Sequence, residues 1–304
     1  MPASWPMPML YLVDASIFIF RAYHSVPISL TDRDGNPVNA LHGFARFIGD
    51  LIEGTGPTHI AVAFDASLVT SFRHVLYPAY KAHREPAPVE LKRQFELCRR
   101  MCEALGITTF ASPYFEADDI IGTLTALAHD AGESVVLVTR DKDLAQLVRP
   151  GDRYWDYVAD ARFTYEQIPE RFGVLPERMP CFLALMGDAV DNIPGVPGIG
   201  RKTAAQLLKH FESLHQLYDE LDGVLKLRCL RNPGFVCAQL RDLREIAFLA
   251  RRLTQIACNM PLDVGLDGLR RRPPNMAALH ALYDAVNFGP LLRMQAERIF
   301  GRAA

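Results

Sequence analysis

Acidic side chains recur in this sequence at positions from which they could share a cation. Asp14 closes the apolar run Met9 to Val13, and Asp65 closes a second run, His59 to Phe64. In a parallel sheet, ligands gather at the C-terminal ends of the strands, so both acids are candidates for one site, although either alone also reads as a turn former or helix cap. Glu116, Asp118 and Asp119 fall within one helical turn of the run EADD. Acids at a helix start offset the macrodipole for about 0.3–1 kcal/mol each, but three so close repel one another unless a cation neutralises them. Asp141 and Asp143 follow the apolar stretch Ser134 to Val138, and Asp188 and Asp191 stand three apart after Phe182, Leu183 and Leu185. These carboxylates, with no His or Cys among them, are hard oxygen donors that suit Mg²⁺ or Mn²⁺ rather than zinc. Two such ions about 4 Å apart would activate a water and stabilise the leaving oxygen of a phosphodiester.

The elements that must carry these acids form an alternating pattern. The runs at 9–13 and 59–64 read as buried strands, and between them Asn39 to Glu53 places Leu41, Phe44, Ile48, Leu51 and Ile52 at helical spacing before Gly54 and Gly56. The alternation continues with a helix near 88–105, a strand near 107–110, a helix at 116–129 and a strand at 134–139. The expected fold is α/β, a mainly parallel sheet flanked by helices. Beyond Asp143 come a short helix at 144–148, one strand at 153–157 and then helical periodicity, interrupted by a Gly/Pro-rich turn at 194–200. This predicts a catalytic domain over 1–162 and a helical lobe over 163–304.

Among 304 residues, 49% are hydrophobic and 22% charged, with a formal net charge of -2. That balance does not announce a polyanion binder, so the argument rests on how charge is distributed. Residues 66–100 carry seven Lys or Arg against three Glu, whereas residues 116–143 carry seven acids against Arg140 and Lys142. The basic stretch interleaves aromatics with cations (Tyr77, Tyr80, Lys81, His83, Arg84), as single-strand binders do. Six cysteines occur without a CxxC pair, which argues against a disulfide framework and a zinc site and fits a reducing cytoplasm. Cys98 and Cys102 read as inner-face residues of a helix. Met1 to Pro8 reads as a loose leader, and no segment has the length of a membrane span.

Six motifs together resemble the 5′ nucleases typified by the N-terminal domain of bacterial DNA polymerase I, by phage 5′ nucleases and by flap endonucleases. They are VDAS at Val13, SFRH at Ser71, YKAHREP at Tyr80, YFEADD at Tyr114, TRDKDL at Thr139 and GDAVDNIPGVPGIGRKTA at Gly187. The order and spacing match over roughly the first 220 residues. The resemblance implies a PIN-like catalytic domain, one metal held by Asp14, Asp65, Glu116 and Asp118, and a second held by Asp118 or Asp119 with Asp141, Asp143 and Asp191. Asp188 is set back from the ions. It further implies a helical arch over about 66–94, with Arg73 on it, Lys81 and Arg84 on the scissile phosphate and Tyr80 stacking on a base. Arg21 is expected to face the DNA near the metals. The stretch 182–211 is similar to a helix-hairpin-helix-type (H3TH) motif, with Gly195, Gly198 and Gly200 in its turn and Arg201 and Lys202 on its second helix, gripping duplex phosphates and binding K⁺.

The implied activity is structure-specific hydrolysis of DNA at 5′ flaps, junctions or free 5′ ends by two metal ions. Lys81, Arg84 and Asp118 carry the chemistry, in a cytoplasmic monomer that works with a separate polymerase. Ala15 stands where Gly is frequent, and His83 where Asn is frequent. Residues 221–304, Arg-rich and helical in pattern, match the family poorly, so a free-standing member is expected. Two alternatives are a branched-DNA binding module with weak turnover and a PIN-type nuclease for RNA or RNA–DNA hybrids.

Overall fold

The computed structural model describes residues 9–66 and 70–303; the expected leader lies outside them. The first elements are β1 (Leu10–Asp14), α1 (Ala15–Ser25), α2 (Asn39–Thr55), β2 (His59–Asp65), α3 (Phe72–Leu76), α4 (Val89–Ala104), β3 (Thr108–Ser112), α5 (Ala117–Asp130) and β4 (Val135–Val138). There follow β5 (Arg153–Asp156), β6 (Ala161–Phe163), α6 (Ile168–Phe172), α7 (Met179–Met186), α8 (Arg201–His210), α9 (Leu214–Asp219), α10 (Pro233–Asp242), α11 (Arg244–Thr254), α12 (Met276–Ala285) and α13 (Pro290–Ala303). They form two compact units. An α/β unit contains described residues 9–66, 85–140 and 258–303, and a helical unit contains 70–84 and 141–257.

In the α/β unit, parallel strands lie in the order β3-β2-β1-β4. Every residue of β1 and β4 is buried, because helices cover both faces of such a sheet; this is why the strands read as unbroken apolar runs rather than alternating ones. Helix α2 buries Leu41, Phe44, Ile48 and Leu51, and α5 buries Ile120, Ile121 and Leu124. Each such side chain contributes about 1.5–3 kcal/mol on removal from water. Helix α1 lays Phe18 on Phe47 of α2, with ring centroids 3.9 Å apart. This helix was not expected: its opening, rich in aromatic and β-branched residues, suits a strand as well as a helix.

The chain divides differently from the expected 1–162 and 163–304. Described residues 70–84 and 141–257 make one unit, so the chain passes between units at 84/85, 140/141 and 257/258 as well as once before residue 70. Helices α12 and α13 belong to the α/β unit, where they bury Leu279, Leu282, Leu292, Ala296 and Ile299. Gln295 of α13 donates to Asp50 at 2.8 Å and Glu53 at 3.0 Å, and Arg298 to Glu53 at 2.7 Å, all on α2. The Arg-rich tail is therefore in part a piece of the sheet-bearing unit.

The helical unit contains the antiparallel pair β5–β6, with Tyr154 opposite Phe163, and helices α6 to α11 around a core including Phe182, Leu183, Leu207 and Leu240. The expected arch, about 66–94, falls on the described residues as two helical pieces joined by turns. Helix α3 is five residues long, turns follow as far as Arg84, and α4 begins at Val89. No helix among the described residues is long and apolar enough to cross a membrane.

Candidate functional site

Three chain segments of the α/β unit bring carboxylates to one strand edge. Asp14 occupies the position before α1 but makes no capping bond, so the helix-cap reading does not account for it. Its Oδ2 instead accepts the buried Thr139 hydroxyl at 3.1 Å. Asp65, at the end of β2, accepts the Ser16 hydroxyl at 2.7 Å through Oδ2 and the Ala117 N–H at 2.9 Å through Oδ1. One carboxylate thus ties the start of α1, the end of β2 and the positive end of α5. Asp119 is fully buried and accepts the Glu116 N–H at 3.1 Å. Helix initiation accounts for Asp119 as a reciprocal cap. Glu116 is also buried, and Asp118 is partly exposed.

The helical unit holds the other acids. Asp141 accepts the Asp143 N–H at 2.9 Å, at the start of a 3-10 turn over Lys142–Leu147. Asp143 Oδ1 is buried with no hydrogen-bond partner, and Lys142 Nζ lies 3.4 Å away. Burial, followed by the Asp141 charge, pushes the Asp143 carboxyl up to about 8; burial also raises Asp141. Lys142 pairs with both Asp143 and Asp188. Burial pulls its pKa down, but the Asp143, Asp188 and Asp141 carboxylates outweigh this and hold it above its ordinary value. Asp188 accepts the Val190 N–H at 2.8 Å.

Asp191 collects the cations. The Arg84 guanidinium pairs with Oδ1, Lys81 Nζ stands 3.6 Å from Oδ2, and the Tyr80 hydroxyl donates to Oδ2 at 3.2 Å. The backbone repeats the link, with the Lys81 N–H donating to Asp191 O at 3.0 Å and the Asn192 side chain to Ala79 O at 2.7 Å. Lys81 has φ of +51°, a left-handed conformation that costs a non-glycine residue about 1–2 kcal/mol and persists because its surroundings hold it.

Two residues expected to contact DNA are buried here. Tyr80 is only 2% exposed, its ring edge-on to His74, so in this conformation no base can stack on it. Arg73 is 3% exposed and donates to Leu253 O at 2.9 Å and Gln255 O at 3.1 Å. It clamps α3 to the end of α11. Arg21 lies exposed on α1.

The Gly/Pro-rich turn lies between α7 and α8. Gly187 has φ of +78°, and a Cβ on Gly195 would sit 2.4 Å from Met186 O; two backbone strands touch there with no room for side chains. An antiparallel bridge joins Asp188 to Ile193. Gly198 has φ of +81°, and α8 opens after Gly200 with no side-chain cap, Arg201 and Lys202 being exposed. Arg201 donates to Arg171 O at 2.9 Å. An uncapped N-terminus beside two cations suits an anionic oxygen.

Sequence reasoning missed Ser16, Thr139 and Lys142 as site residues. Each lies within two residues of an acid it had singled out, a hint that becomes meaningful only once the bonds are seen.

Among the described residues, no three or more His, Cys, Asp and Glu side chains stand ready-made as a metal cage. The donor chemistry nonetheless fits a hard divalent ion. All the acids are oxygen donors, and Asp143 presents a buried carboxylate oxygen without a hydrogen bond, in a group whose proton affinity is raised by burial and then by neighbouring anions.

The α/β unit thus carries acids at the C-terminal ends of its parallel strands, and the helical unit carries a second acidic group beside a glycine-rich hairpin. Residues 9–173 match the 5′-3′ exonuclease N-terminal resolvase-like domain, and residues 174–277 match the 5′-3′ exonuclease C-terminal SAM fold. The chain belongs to the 5′-3′ exonuclease family, a family of nuclease hydrolases. It is 39% identical to DNA polymerase I of Rhizobium leguminosarum over 295 residues, covering 95% of this chain and 28% of that protein. It is 37% identical to DNA polymerase I of Mycobacterium tuberculosis over 308 residues, covering 98% of this chain and 32% of that protein. The chain thus spans less than a third of the length of these curated relatives. The similarity runs well past residue 221, correcting the expectation of a poor match there. Among solved structures, the 5′-exonuclease of bacteriophage T5 with bound divalent metal (zinc) has a TM-score of 0.66 at 20% identity, covering 97% of this chain and 99% of that one. The catalytic core of Rad2 in complex with a DNA substrate has a TM-score of 0.61 at 14% identity, covering 97% and 92%. At these identities the structural likeness speaks for the fold.

Proposed function

We propose that this protein is a structure-specific 5′ nuclease that hydrolyses DNA at flap junctions or free 5′ ends. The observation that carries the reading is the Asp65 network, which ties Ser16, the end of β2 and the start of α5 around buried acids in a chain of the 5′-3′ exonuclease family. Mg²⁺ or Mn²⁺ is the proposed cofactor, one ion on Asp14, Asp65, Glu116 and Asp118 and a second drawing on Asp141, Asp143 and Asp191. When bound, such ions supply an activated water and neutralise the leaving oxygen. The protein's own residues do the rest. Ser16 and the Ala117 N–H orient Asp65, and Thr139 orients Asp14. Lys142 keeps Asp188 and Asp143 neutralised. Lys81 and Arg84 exchange Asp191 for a DNA phosphate and offset the charge that develops on it. The turn at Gly195, Gly198 and Gly200, with Arg201 and Lys202, holds duplex phosphates, and K⁺ is the proposed ion at its carbonyls.

The test is cleavage of a 5′-labelled flap duplex beside matched plain duplex, single strand and RNA flap, in Mg²⁺, Mn²⁺ or EDTA. Metal-dependent cutting at the DNA junction is expected. Tight flap binding without cutting in either metal would instead make this chain a DNA-binding module.

A further inference from the structure

Residues 268–275 are laced along the opposite, N-terminal edge of β2 and β3. The Thr108 hydroxyl donates to Gly268 O at 2.8 Å, Arg270 forms an antiparallel bridge with His59, and the Arg271 N–H donates to Thr58 O at 2.8 Å. The Arg272 N–H then donates to Gly106 O at 2.9 Å and the Asn275 N–H to Ala104 O at 2.7 Å. Gly106 has φ of +79°, and a Cβ there would fall 1.9 Å from Arg272 O, so the segment is seated directly on backbone. This fixes three consecutive arginines around an open cavity of about 470 Å³ that Asp267, Gly268 and Pro273 also line.

None of these backbone bonds requires arginine side chains. No ion pair is formed by Arg270, Arg271 or Arg272 among the described residues, and Arg271 Nη1 is buried with no hydrogen-bond partner. Burial lowers the proton affinity of Arg271. Three guanidiniums, one of them partly desolvated, thus line one cavity with a single carboxylate, that of Asp267, among its lining residues, an excess of positive charge that is costly to assemble. The cluster is also remote from the strand-end carboxylate Asp65, because the length of β2 sets His59 roughly 20 Å from it at about 3.3 Å per residue.

We propose that Arg270, Arg271 and Arg272 form a second anion site that takes a ligand with adjacent phosphate groups. Guanidinium forks match phosphate oxygens two at a time. A single side-chain carboxylate would neutralise one of the three charges, whereas neighbouring phosphates answer all of them. The cavity falls within the usual range of about 300–1,000 Å³ for small ligands. The phosphates come either from a free polyphosphate or from the backbone of a DNA strand.

The test titrates inorganic pyrophosphate, and separately a short single-stranded oligonucleotide, into the full chain by calorimetry in EDTA. Each titration is repeated with the combined Arg270→Gln, Arg271→Gln, Arg272→Gln variant. Saturable pyrophosphate binding that weakens about tenfold or more in the variant supports the site with a free polyphosphate as its ligand. A comparable loss for the oligonucleotide alone supports it with DNA as the source. Unchanged affinity for both probes, or no saturable binding of either, overturns it. Should the variant fail to fold, phenylglyoxal modification of the wild-type protein decides: slower modification of these arginines with either probe, relative to exposed Arg241, supports the site, and equal slowing everywhere overturns it.

Discussion

In the protein described here, Lys81 and Arg84 already have a partner in Asp191, so a DNA phosphate must compete for them. Lys81→Ala is therefore expected to lower kcat more than it weakens DNA binding, read from single-turnover cleavage beside a binding isotherm; a loss confined to affinity would make Lys81 a tether. Asp118→Asn should abolish cutting while largely sparing flap binding measured by gel shift in Ca²⁺, and full retained activity would refute its place among the metal-binding acids. Arg73→Ala belongs to stability. It strands the carbonyls of Leu253 and Gln255 and should cost about 3 kcal/mol in urea unfolding, with DNA affinity per folded molecule unchanged. Asp14 and Asp65 were legible in the sequence because a strand that ends in an acid declares where that acid sits. Arg73 and Tyr80 were not, since a run of cations and aromatics reads alike whether its members face solvent or core.

At the scale of elements, the turn between α7 and α8 depends on contact between backbones. Gly195→Ala would drive a methyl to within 2.4 Å of Met186 O. The expected result is a displaced hairpin and weakened duplex binding in a salt titration, with the start of α5 untouched by hydrogen exchange. The loop before α2 offers a pH test. Asp32 is buried, which favours its neutral form, yet the Asn36 backbone and side chain, Arg93 and the Asp34 N–H hold its carboxyl below the ordinary value. A depressed carboxylate contributes stability at pH above its unfolded pKa and loses it as pH falls through the folded value. Thermal unfolding from pH 7 down to pH 3 should therefore show a smaller decline for Asp32→Asn than for the wild type. Helices α2, α4 and α5 were readable from apolar spacing alone, each within two residues of its observed limits. Helix α1 was hidden because Ile17, Phe18, Ile19 and Phe20 run together without a polar face to mark a helical period, and only its packing on α2 decides the matter.

Across the whole molecule, the two units are interleaved in sequence, and this was the least legible feature. No local signal in residues 258–303 says that their apolar face belongs with α2 and the strand edges. Deleting residues 258–304 removes the partners of Thr58, Ala104 and Gly106 and uncovers α2. The expected outcome is loss of protection in β1 and β2 by hydrogen exchange, with residues of α7 and α8 still protected; unchanged protection of the strands would show that the tail is dispensable. The same interleaving orders synthesis. As the chain leaves the ribosome, residues 141–257 are all available to pack before the first residue of the tail appears, while the strands made earlier still lack the segment that finishes their edge. The unit begun first is thus completed after the other, and the nascent sheet must be kept from straying, by its own helices or by a chaperone, until residues 258–303 arrive.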